Sequence, residues 1–227
     1  MPRRFFFPCL ALIFTSAFSL LDSASAAELS APERSTLLAQ LRELHTKQPS
    51  LQADFTEQKT THLLNHPVLS EGTISFQAPD KFRREVRDKN PSVTVSNGRT
   101  LWIYYPNFKE VETYALGQRA FFDDSLAALT AGLNFQRIDE FYNFRAFREG
   151  DTYRLELVPK RPNLRRIVEE LVLTLDSDFR PQRTDLKLPK GDRLVTNYRN
   201  ARRTPLPAST FEFSPPADAH VSKPLGK

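Results

Sequence analysis

Apolar positions along the chain switch period several times, and each switch marks an element. Leu37, Leu38, Leu41 and Leu44 recur at helical spacing behind Ser30-Ala31-Pro32-Glu33, a capping box with proline in the first turn, so the first element is a helix with one apolar face. From Leu51 the period becomes two, with Leu51, Ala53 and Phe55 on one face of a strand and Gln52, Asp54 and Thr56 on the other. Gly72 to Phe76 and Phe82 to Val86 read as two further strands separated by Pro79. Val93 to Ser96 and Arg99 to Tyr105 flank Asn97-Gly98, which predicts a hairpin whose two turn residues take positive φ. A short strand through Val111 and Tyr114 follows Pro106, and Asp123-Asp124-Ser125 caps a second helix carrying Leu126, Leu129 and Leu133 behind Phe121 and Phe122.

The second half alternates again. Phe144 to Phe147, Tyr153 to Leu157, Leu171 to Leu175, Gln182 to Leu188 and Leu194 to Tyr198 are strands, with turns at Gly150-Asp151, Asp176 to Asp178 and Lys190 to Asp192. Phe211 to Phe213 is expected as a last strand and Asp218 to Lys227 as a frayed tail. Roughly ten sequential strands joined by short turns predict a mainly β (α+β) chain whose antiparallel sheet curls into a barrel or half barrel, with two helices left to cover its mouth.

Composition and charge then narrow the setting. Arg3 and Arg4 precede an apolar run from Phe5 to Leu21, and Ser23-Ala24-Ser25-Ala26-Ala27 supplies a small-residue cleavage site, so residues 1–26 read as a secretory signal and residues 27–227 as one domain. The single cysteine, Cys9, falls within that leader, which excludes a disulfide framework or a cysteine zinc site in the mature chain. Removing Arg3, Arg4 and Asp22 from the 32 basic and 27 acidic residues leaves 30 and 26, a net charge of +4. A solvated face is the default reading of that excess; for an exported protein an anionic membrane surface is a more natural counterpart than nucleic acid.

Candidate chemistry is sparse. His62 and His66 have an i, i+4 spacing that suits a metal only on a helix, whereas the intervening Leu63-Leu64-Asn65 and the following Pro67 read as a loop. Asp123 and Asp124 are accounted for by helix capping. No nucleophile elbow, phosphate loop or dinucleotide fingerprint occurs, so no enzyme, metal or cofactor is expected, and His62, His66 and Asp123 would be the candidates if one existed. Apolar surface is plentiful instead: Phe55, Ile74, Phe76 and Phe82 on the first strands, Leu101, Ile103 and Tyr105 on the hairpin. Phe121, Phe122, Leu126 and Leu129 lie on the second helix, and Leu155, Leu157, Leu171 and Leu173 on the later strands. Periodicity alone does not separate a cavity from a filled core.

Four pieces in order resemble the LolA-like periplasmic lipoprotein carriers: Leu51 to Gln58, Gly72 to Phe76 with Pro79 and Phe82, Ser96 to Pro106, and Phe211 to Pro216. The resemblance implies an incomplete antiparallel barrel with a helical lid over an apolar cavity. Such a cavity takes acyl chains of lipoproteins from an inner-membrane ABC transporter and delivers them towards an outer-membrane acceptor, by a monomer that needs no nucleotide. Another acylated lipid or glycolipid as cargo, or a lipoprotein-sensing regulatory role on the same fold, are the alternatives. Two positions depart from the family pattern. Ala78 stands where many members have an arginine that latches the lid, and Arg84 stands where an aromatic residue is common, placing a cation either at the cavity rim or in solvent.

Overall fold

The computed structural model describes residues 26–117, 135–136 and 138–224. Its strands are β1 (Ala27–Glu28), β2 (Ser50–Thr60), β3 (Val68–Gln77), β4 (Lys81–Val86), β5 (Ser92–Asn97), β6 (Thr100–Tyr105), β7 (Glu110–Ala115), β8 (Tyr142–Glu149), β9 (Thr152–Pro159), β10 (Glu170–Leu175), β11 (Pro181–Lys187), β12 (Arg193–Arg202) and β13 (His220–Ser222). All belong to one open sheet in the order β1-β8-β9-β10-β11-β12-β2-β3-β4-β5-β6-β7-β13. Each pair is antiparallel except β13, which lies parallel to β7. Two meanders, β2 to β7 and β8 to β12, therefore meet at a seam where β12 pairs with β2, Thr196 opposite Glu57 and Tyr198 opposite Phe55.

Helix α1 (Ala31–Lys47) begins as expected: the Glu33 carboxylate accepts the Ser30 backbone N–H at 2.7 Å and its hydroxyl at 2.6 Å. Leu37, Leu38 and Leu41 then pack on Leu155, Leu157, Leu171 and Leu173 of β9 and β10, together with Ile138 of α2 (Ile138–Phe141) and Leu164 of α3 (Pro162–Arg165). We call the side of the sheet that carries α1 its inner face. A second cluster on the same face joins Leu51, Phe76, Phe82 and Leu101.

The close approach of β3 and β4 is fixed by Gly72, where a Cβ would stand 1.8 Å from the Glu85 carbonyl oxygen. No side chain fits there.

The outer face of β4 to β7 is covered by the C-terminal segment. Phe211 is buried at the end of a 3-10 turn (Ala208–Phe211), and Phe213 meets the rings of Trp102 and Tyr104 with centroids 6.2 and 5.9 Å away. Two sequence expectations are corrected here. Phe211 to Phe213 is not a strand, because both phenylalanines anchor the chain against an existing sheet face; and the tail is ordered as β13, whose His220 N–H bonds the Lys109 carbonyl at 2.7 Å. The hairpin at Asn97 exists, but its two loop residues are Gly98 and Arg99, with only Gly98 at positive φ, +88°. Asn97 contributes its side chain instead, accepting the N–H groups of Arg99 and Thr100 at 2.9 and 2.8 Å.

Alternate turns fall at opposite ends of the sheet. One end holds the connections β2–β3, β4–β5, β6–β7, β9–β10 and β11–β12, with Arg87, Lys89, Lys109, Lys160, Arg161, Arg165, Arg166 and Lys190 against Asp88, Glu169 and Asp192. The connections β3–β4, β5–β6, β8–β9 and β10–β11 at the other end hold Arg99 and Arg180 against Asp80, Asp151, Asp176 and Asp178. Over these connections the first end is the more basic and the second mildly anionic; at the first end Lys109 is paired with Asp218 at 2.8 Å, and Asp139 and Glu140 precede β8.

Candidate functional site

Register decides which side chains share a face, since a strand turns each successive residue over. Leu155 and Leu157 lie opposite Leu173 and Leu171, which lie opposite Thr184 and Leu186. The same face continues through Thr196 and Glu57 to Phe55, then across Gly72, Ile74 and Phe76 to Arg84 and Phe82, and from Thr94 and Ser96 to Ile103 and Leu101. Tyr105 follows two residues after Ile103. Thus Phe55, Ile74, Phe76, Phe82, Leu101, Ile103, Tyr105, Leu155, Leu157, Leu171 and Leu173, all expected at an apolar site, stand on one face of one sheet. Phe121, Phe122, Leu126 and Leu129, with Asp123 and residues 1–25 of the expected signal segment, lie outside the described residues.

The eleven divide by what covers them. Leu155, Leu157, Leu171 and Leu173 are sealed beneath α1. Ile74, Ile103 and Tyr105 remain half-exposed on the inner face of β3 to β6, beside the buried Phe76, Phe82 and Leu101, and Phe55 is buried on β2 at the seam.

Arg84 resolves to the inner face and not to solvent. Its Nη2 donates to Glu57 Oε1 at 2.8 Å, and its guanidinium carbon lies 4.6 Å from the Phe55 ring centroid. Glu57 Oε2 accepts the Thr196 hydroxyl at 3.2 Å. Tyr198 and Thr184 extend the polar group, their hydroxyls 3.4 Å apart, and burial pushes the Tyr198 phenol up. Near the other margin of the same surface, Tyr114 donates to Glu112 at 2.7 Å; burial first, then the Glu112 carboxylate, raises that phenol too. The inner face of β2 to β7 is therefore an apolar surface interrupted by the Arg84–Glu57 ion pair and, near its margin, by Tyr114 with Glu112. Sequence reasoning missed Glu57, although it continues the Leu51, Ala53, Phe55 alternation, and the same parity places it inside.

His45 was also missed, though it sits one helical turn beyond Leu41. Its ring is buried between Phe76 and Phe135, with centroids 6.1 and 5.1 Å away, and neither nitrogen has a hydrogen-bond partner. Burial, with the Arg203 charge nearby, lowers its pKa from the ordinary 6.5 to about 4. The ring is neutral at pH 7 and acts as an aromatic spacer between the two inner clusters.

His62 is held in the β2–β3 turn: Asp192 Oδ1 accepts its backbone N–H at 2.9 Å and lies 2.8 Å from its ring Nδ1. His66 is exposed in the same turn, and no helix carries the pair. Two recesses, about 570 Å³ between Gln52, Thr73, Arg83 and Arg202 and about 820 Å³ between the end of α1 and the Ser177–Arg180 turn, are lined by none of the eleven apolar residues; the first is mainly polar, and Leu44, Phe179 and Ala201 help line the second. Among the described residues no helix is long and apolar enough to cross a membrane.

Residues 46–214 match a family model described as "Outer membrane lipoprotein carrier protein LolA". Curated relatives named outer-membrane lipoprotein carrier protein include one from Chromobacterium violaceum, 29% identical over 206 residues covering 90% of this chain and 96% of its own. Another, from Dechloromonas aromatica, is 29% identical over 183 residues, covering 80% and 85%. An uncharacterized conserved protein from Thermus thermophilus shares the fold with a TM-score of 0.50 at 13% identity, over 84% of this chain and 99% of its own.

Proposed function

Because the chain belongs to the LolA family of outer membrane lipoprotein carrier proteins, we propose that it is an exported, periplasmic carrier that shields lipoprotein acyl chains between the inner and the outer membrane. The observation that carries this reading is the half-exposed apolar inner face of β3 to β6, where Ile74 and Ile103 pack beside Phe76, Phe82 and Leu101 and Tyr105 continues the same face. An acyl chain laid on such a surface saves about 0.8 kcal/mol for each CH₂ withdrawn from water, enough to hold a lipid without a covalent step. Release then requires only a better apolar acceptor.

In this reading Arg84 and Glu57 meet the polar end of the cargo, where the acyl carbonyls give way to glycerol and peptide. Their pairing lets a charged side chain stay on an acyl-binding face at low cost, since each is already neutralised by the other. Loading comes from an inner-membrane ABC transporter and delivery goes to an outer-membrane acceptor, with α1 as a covering element. The chain works as a monomer and uses no cofactor.

Native mass spectrometry of the protein recovered from its own periplasm tests this directly. A bound acylated peptide is the expected result, lost when Ile103→Asp places a charge on the inner face. A co-purifying glycolipid or free lipid overturns the lipoprotein assignment, and an empty mass that stays empty after incubation with a triacylated peptide overturns carriage itself.

A further inference from the structure

Among the described residues, the large apolar side chains that remain exposed are Leu63, Leu64, Val68, Leu69, Phe108, Val158 and Val221. Register puts every one of them at the same end of the sheet. Leu63 and Leu64 lie in the β2–β3 turn, Val68 and Leu69 begin β3, and Phe108 lies in the 3-10 turn between β6 and β7. Val158 is opposite Asn143 at the start of β8, and Val221 opposite Val111 at the start of β7. Leu63, Phe108 and Leu69 are 78%, 74% and 70% exposed, so nothing among the described residues covers them.

This is also the more basic end described above. Lys89, Arg166 and Lys190 are exposed on three of its turns. The β2–β3 turn is held in place at its base, where Asp192 engages both His62 and Thr61, so the two leucines project from a fixed support. Apolar tips ringed by basic side chains match the layered chemistry of an anionic bilayer, in which phosphate headgroups lie above hydrocarbon.

We propose that this end of the sheet docks on an anionic phospholipid surface, with Leu63 and Leu64 entering the headgroup boundary and the basic turns seated on the phosphates. The site is distinct from the inner face, and the inference goes beyond cargo carriage: it fixes which way the molecule faces the membrane.

Flotation of the mature protein with vesicles of phosphatidylcholine, with and without phosphatidylglycerol, tests it. Partition is expected only with phosphatidylglycerol, falling as salt is raised. L63D/L64D and K89E/R166E are each expected to lower the partition coefficient about tenfold or more. Both pairs lie outside the buried clusters, and unchanged urea midpoints verify that the variants fold. No partition on phosphatidylglycerol, or wild-type partition by both variants, overturns the proposal. Association with native membrane vesicles but not with protein-free lipid also overturns it, in favour of a protein acceptor. Binding of a soluble triacylated peptide, measured on the same variants, reports the carrier role separately: its loss with flotation intact removes carriage and leaves docking standing.

Discussion

The β8–β11 half of the sheet and the β2–β7 half carry the same alternation of apolar and polar residues, yet they bury different surfaces. Under α1, the inner face of β9 and β10 is dry, and the outer face is laced with ion pairs such as Arg154 with Glu149 and Glu156, Lys187 with Glu170, and Arg193 with Asp185. In the β2–β7 half the C-terminal segment has covered the outer face, where Val95 and Val111 are fully buried, and the inner face is left partly open. What separates a core from a binding surface here is the covering element and not the strands. Leucines at equivalent parity serve stability on one side and remain available for a ligand on the other.

The sharpest way to break that contrast is to truncate one side chain on each side. Leu157→Ala, beneath α1, is expected to cost about 4 kcal/mol in urea unfolding, because it leaves a cavity that the helix cannot fill. Ile103→Ala, on the half-open side, is expected to cost about 1 kcal/mol while weakening acyl-peptide binding severalfold. Equal destabilisation by the two would erase the distinction.

His45 touches both inner clusters, so acid tests the junction between them. Its folded pKa of about 4 lies below the ordinary 6.5, so between those values the unfolded chain binds the proton that the folded ring refuses. Its contribution is complete above pH 6.5 and is lost as the pH falls towards 4, by about 3 kcal/mol. Stability measured across that window for the native chain and for His45→Leu should diverge, the variant staying flatter because leucine binds no proton in either state.

A smaller effect than at Leu157 or His45 is expected at the polar island. Arg84→Met should destabilise by about 2 kcal/mol, since Glu57 is left largely buried without its cation, and adding Glu57→Gln should recover most of the loss. A double-mutant cycle with no coupling would place Arg84 in solvent and remove the island from the inner face.

Strand parity and the helix N-terminus were legible in the residues themselves. Ser30 with Glu33, and the alternation from Leu51 to Phe55 or from Leu171 to Leu175, each depend on neighbours within a few positions. What depended on distant partners was hidden. Phe211 and Phe213 look like a strand until Trp102 and Tyr104 supply a surface for them, and His220 to Ser222 is a strand only because β7 offers an unpaired edge. Whether Leu155 or Ile103 meets water was equally closed to inspection, since alternation reports a face and not its cover. Gly98 was read correctly as the turn glycine, but the turn starts one residue later than Asn97, whose amide found better use as an acceptor.

The seam between β12 and β2 has a kinetic side. The meander from β2 to β7 can zip from neighbouring hairpins, and so can the one from β8 to β12, but pairing Asn197 with Thr56 closes a loop of more than a hundred residues. A chain emerging N-terminus first must therefore hold the free edge of β2 unpaired until nearly all of its length has arrived. During that interval the edge is open to any other extended strand. Loss of β12 would then show itself less as a weaker fold than as chains pairing with one another before the sheet is complete.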